Sequence, residues 1–83
     1  MNSTAVPSYL EIIDFIAAGT TPKSVAEYRP SEEAQRRVEA LISREKDGDL
    51  SPDEKSELDH FMELEHIIRM AKARARQILH SGS

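Results

Sequence analysis

Apolar positions recur along this chain at intervals of three and four, the spacing that places residues on one face of an α-helix. In the N-terminal quarter the stripe is Tyr9, Ile12, Ile13 and Ile16. Ser8 and Glu11 have the spacing of a capping box, and Gly19 supplies a stop that tolerates left-handed backbone. The pattern predicts a first helix over about Tyr9 to Ala18, with Leu10 and Phe15 off its main stripe. Thr21-Pro22 opens a short second helix, and Pro30 ends it by Tyr28, leaving Val25 and Tyr28 as its buried contacts. Ser31 caps a third helix that ends at Asp47-Gly48, with Ala34, Val38, Leu41 and Ile42 as a clean stripe.

The strongest helix start is Ser51-Pro52-Asp53-Glu54, which combines a capping serine, a proline at the first position and a glutamate at the third. No Gly or Pro interrupts the chain from there to His80. Leu58, Phe61, Leu64, Ile68, Ala71, Ala75 and Ile78 form a sustained seam, which Met62, Ile67, Met70 and Leu79 are expected to broaden. The expected fold is all-α: short N-terminal helices plus an antiparallel helical hairpin with a long C-terminal helix, because Gly48–Ser51 is a short connection. Residues 8–80 form one helical domain in this reading, with 1–7 and 81–83 disordered. The fourth helix, about 43 Å long, outruns the third, about 24 Å long. Its last turns must then be covered by the first two helices or by another chain.

At 83 residues the chain fits one domain with a small core. It has no cysteine, which excludes disulfides and thiolate zinc sites. No apolar run approaches a membrane span, and Met1-Asn2-Ser3-Thr4 lacks the features of a secretory signal, so a cytoplasmic protein is expected. Charge is segregated. Residues up to Ile68 hold seven basic and all fifteen acidic side chains, a balance of −8, whereas the chain from Arg69 onward carries +4. Cations near a helix C-terminus complement its dipole, and they also suit an acidic partner.

Motifs that carry chemistry are weak. Glu45 to Asp53 is acidic and lies between helices, but a calcium loop begun at Glu45 has Leu50 and Ser56, and one begun at Asp47 has Pro52 and Leu58, where the glycine at position six and the glutamate at position twelve are needed. His60, Glu63 and His66 are three apart, but no inward carboxylate or histidine on the third helix completes a metal bundle. No nucleophile–base pair and no glycine-rich phosphate loop is visible, so the chain reads as a non-enzyme without cofactor, metal or small-molecule substrate. Arg69, Lys72, Arg76 and His80 share one side of the last helix, without the aromatic residues that stack on bases. The candidate partner-binding set is Arg69, Met70, Lys72, Ala75, Arg76, Ile78 and Leu79.

Four segments carry a resemblance: Asp14-Phe15-Ile16-Ala17-Ala18-Gly19, Arg29-Pro30-Ser31-Glu32-Glu33, Leu50 to Asp59, and Leu64 to Ala75. Over roughly Tyr9 to Leu79 the chain resembles a family of short, uncharacterised helical bacterial proteins common in cyanobacteria, often encoded beside HNH-type nucleases. The resemblance implies an antitoxin-like or accessory binding role and transfers no catalytic or ligand residue; the acidic first 68 residues add that a toxin or nuclease partner would be basic. The alternatives are a self-associating hairpin that forms a homodimer and a nucleic-acid accessory using the basic helix.

Overall fold

A computed structural model describes residues 7–81. Of the segments expected to be disordered, 1–7 and 81–83, residues 1–6 and 82–83 lie outside the described residues, whereas the Pro7 carbonyl accepts from the Leu10 amide at 3.1 Å and Ser81 is the last residue of α4. The described chain is all-α, with α1 Leu10–Ala17, α2 Pro22–Glu27, α3 Glu32–Asp47 and α4 Pro52–Ser81. The molecule measures 48 × 29 × 18 Å. Its long axis matches the roughly 45 Å rise of a helix of α4's length.

Local signals set three of the four helix starts. Thr21 accepts from the Ser24 amide at 3.1 Å, and the Ser24 hydroxyl accepts from the Thr21 amide at 2.9 Å, a reciprocal box around Pro22. The Ser31 hydroxyl accepts from the Ala34 amide at 3.1 Å. The Ser51 hydroxyl accepts from the Glu54 amide and the Glu54 carboxylate accepts from the Ser51 amide, each at 3.1 Å. Gly48 ends α3 at φ +76°, where a side chain would be strained.

The start of α1 departs from expectation. Tyr9 takes the N-cap place in helical backbone (φ −73°, ψ −18°) with no side-chain cap. A serine cap needs extended backbone. Ser8 instead reaches Glu57, and the Glu11 carboxylate accepts from the Ser31 amide at 2.7 Å. Both members of the expected box serve long-range contacts.

The core is Ile12, Val38, Leu41, Leu58, Phe61 and Ile68, with Tyr9, Phe15, Tyr28, Ile42, Leu50 and Leu64 packed against it. α3 and α4 form the expected hairpin, and α1 closes its core. The buried face of α1 is Tyr9–Ile12–Phe15, whereas Ile13 and Ile16 are exposed, so its inner face is turned from the expected stripe. Phe15 meets Tyr28 with ring centroids 4.4 Å apart. α2 covers the part of α4 that α3 does not reach: Pro22 and Val25 share a shallow groove with Ala71, Ala75 and Ile78. Ala75 is consequently only 4% exposed.

Candidate interaction surface

The long fourth helix has three neighbours: α3 and the N-terminal segment share its first half, and α2 covers part of its second. Near its start, Arg44 of α3 pairs with Glu54. Next, Arg37 grips Glu57 with two bonds, Nε to Oε2 at 3.2 Å and Nη2 to Oε1 at 2.9 Å. Such a fork-to-carboxylate pair is geometrically specific. Ser8 adds its amide at 3.1 Å and its hydroxyl at 2.8 Å to the same Oε2. Glu57 thus ties α3 and α4 to the segment that leads into α1. Burial pushes its carboxyl up, but the Arg37 guanidinium and the two Ser8 donors outweigh burial and hold it below the usual glutamate value. The bond to Glu57 in turn raises Arg37, against its own burial.

Farther along, Lys72 is half-buried and donates from Nζ to the Tyr28 carbonyl at 2.8 Å, satisfying the chain end of α2. The Tyr28 hydroxyl is buried without a hydrogen-bond partner among the described residues. Burial first, and the nearby Glu11 second, raise its pKa.

The structure divides the candidate partner-binding set. Ala75 is core beneath α2 and Lys72 is a tether within the chain, so neither offers free surface. Arg69 lies on the surface beside Glu65, 3.5 Å away. Arg76 is exposed and has no ion pair among the described residues. Met70, Ile78 and Leu79 are exposed, Met70 most of all at 55%. Met62 and Ile67, expected at the margins of the seam, are also exposed. At 100° per residue, Ile67 and Met70 lie about a third of a turn from the core seam, on a separate face.

The histidine spacing has a local explanation for His60. Its ring stacks on Tyr9 at 5.2 Å between centroids, and its Nδ1 is 2.6 Å from the Ser56 carbonyl oxygen. Among the described residues no group of three His, Asp or Glu is placed to hold a metal ion. The acidic connection after α3 is used in turn formation, with the Asp49 amide donating to the Arg44 carbonyl at 2.9 Å.

Sequence reasoning missed Ser8, Arg37 and Glu57 as a unit. A signal was present for two of them. Arg37 and Glu57 each adjoin a core residue, Val38 and Leu58, and flank facing seams of an antiparallel hairpin. Counting outward from the turn does not pair them, since Arg37 lies eleven residues before Gly48 and Glu57 six after Ser51, so only their places beside the two seams hint at the contact. Nothing local marked Ser8. No helix among the described residues is long and apolar enough to cross a membrane. No family model, curated protein or solved structure matches the chain.

Proposed function

We propose that this chain is a non-enzymatic binding protein, an antitoxin-like partner that masks a basic protein such as a toxin or nuclease. The observation that carries the reading is its uncovered apolar surface. Seven large apolar side chains (Ile13, Ile16, Met62, Ile67, Met70, Ile78 and Leu79) are each between 39% and 55% exposed. Five of the seven lie on α4. Single exposed apolar residues are ordinary, but several along one helix suit recognition by another protein. The −8 balance of residues up to Ile68 favours a basic partner through electrostatic complementarity. Ile78 and Leu79, with Arg69 and Arg76 nearby in sequence, supply the apolar anchor and its polar rim. Co-expression with the product of a neighbouring nuclease or toxin gene, followed by size-exclusion chromatography, tests the proposal. One shared peak supports it, and two separate peaks at micromolar concentration overturn it.

A further inference from the structure

The exposed face of α4 has its own periodicity. Ser56, His60, Glu63, Ile67, Met70, Arg74, Gln77 and Ser81 are spaced alternately by four and three, and all eight are exposed. That is the spacing of a coiled-coil seam. It lies on a different side of the helix from the core stripe, and Ile67 and Met70 form its centre at 51% and 55% exposure.

The order of residues along this stripe is palindromic in chemistry. Outward from the centre come Ile67 and Met70, then Glu63 and Arg74, then His60 and Gln77, then Ser56 and Ser81. We infer that the stripe pairs with the same stripe of a second copy, antiparallel and two-fold, with the axis between Ile67 and Met70. In that register Ile67 of each copy meets Met70 of the other, Glu63 meets Arg74 twice, Ser56 meets Ser81, and His60, whose ring also stacks on Tyr9 of its own chain, meets the polar Gln77. A two-fold interface must be self-complementary in this way. Antiparallel seams also pair first-type with second-type positions, as the four-three alternation here requires.

The parallel arrangement fails on charge. It would set Glu63 against Glu63 and Arg74 against Arg74, and like charges across a seam are repulsive. Within the chain, Glu63 has no ion pair among the described residues, and Arg74 donates only to the Gln77 side chain at 3.0 Å. Both charges are therefore available for the second copy. The apolar centre is short, so the dimer belongs with small, weak interfaces, with a Kd of about 10–100 μM. The pairing covers Ile67 and Met70 and leaves Ile78 and Leu79 as the anchor for the proposed basic partner, so a chain that dimerises yet binds no basic protein sinks that proposal and leaves this one standing.

Sedimentation equilibrium with charge-swapped chains is the test. The wild-type mass should climb from 9.3 kDa toward twice that value as concentration rises. Glu63→Arg alone and Arg74→Glu alone should each weaken the dimer by about tenfold or more. The double swap should restore it to within about threefold, because every charge pair is re-formed with reversed sign. Both side chains are exposed, so circular dichroism should stay at the wild-type value. Cysteine pairs give a second readout that needs no affinity change, since the chain has no native cysteine. With oxidised glutathione present, a mixture of Glu63→Cys and Arg74→Cys chains should cross-link, and either chain alone should not. A mass of 9.3 kDa throughout, a dimer indifferent to both single swaps, a double swap as weak as the singles, or efficient cross-linking of Glu63→Cys with itself would each overturn the inference.

Discussion

Glu57 is the residue whose removal should most clearly expose the logic of this fold. Its side chain is only 12% exposed and receives four hydrogen bonds from two other parts of the chain. Glu57→Ala leaves the Arg37 guanidinium and both Ser8 donors without their acceptor. Bonds to charged groups contribute about 1.5–3 kcal/mol each before compensation. Arg37 is a third exposed, so water recovers part of its loss, whereas Ser8 is only 6% exposed and its two donors are left without an acceptor. We expect a net cost of about 2–3 kcal/mol. Domains of this length hold roughly 4–12 kcal/mol in total, and each 1 kcal/mol shifts their Tm by about 4–8 °C. Glu57→Ala should therefore lower Tm by about 10–20 °C.

The same residue makes the stability depend on pH. Its folded pKa lies below the unfolded value, so its contribution is complete above the unfolded pKa of about 4.3. It is lost as pH falls from there through the folded value. Glu57→Gln keeps the shape and removes the charge. It should be less stable than wild type at pH 7, and the gap should close as the wild-type carboxyl protonates. Thermal denaturation by circular dichroism between pH 2 and 7 reads this directly. A double-mutant cycle with Arg37→Met should return a coupling of about 1 kcal/mol. A Glu57→Gln curve parallel to wild type across the acid range, or zero coupling, would refute the reasoning.

Two further substitutions separate core, surface and turn. Phe61→Ala, at a site 4% exposed, should cost about 3–5 kcal/mol in denaturant unfolding. Ile78→Ala, at 43% exposure, should cost about 1 kcal/mol, and equal large losses at both sites would place the end of α4 in the core. Gly48→Ala should cost about 1 kcal/mol with no change in unfolding slope, because its φ is +76° and no atom lies within 4 Å of the added carbon.

The caps of α2, α3 and α4 were legible because they close within a few residues. Thr21, Ser31 and Ser51 each find their partner three positions on. Ser8 and Glu11 carry the same local pattern, but Glu57 and Ser31 outcompete it, and no short-range rule weighs a partner 49 residues away. The face of α1 was misjudged for a related reason. Ile13 and Ile16 are as apolar as Ile12, and Phe15 turns inward against Tyr28 and the core, contacts that lie outside α1's own sequence. On α4 the core seam was clear, since seven apolar positions keep one phase. The second stripe was hidden because only Ile67 and Met70 on it are apolar, and they were absorbed into the margins of the first. The cover of Ala71 and Ala75 by α2 could not be read from pattern alone, because another chain satisfies the same apolar face equally well.

That cover has a dynamic consequence. α2 has six residues, and isolated helices shorter than about 12–15 residues are marginal in water. Its docking rests on Val25, on the Tyr28 ring against Phe15, and on Lys72 holding the Tyr28 carbonyl. The segment of α4 from Arg69 to Ala75 is thus only as stable as α2's attachment, whereas Leu58 to Ile68 share the main core. Arg76 to Ser81 have no buried residue at all. Native-state amide exchange, measured well below the dimerisation range, should show three tiers along this one helix, with protection falling after Ile68 and again after Ala75. Val25→Asp should drop the middle tier to the level of the last and leave the first unchanged. Uniform protection from Leu58 to Ser81 would mean that α4 opens as a single unit and that α2 is a passenger. A middle tier that survives Val25→Asp would mean that something other than α2 holds it.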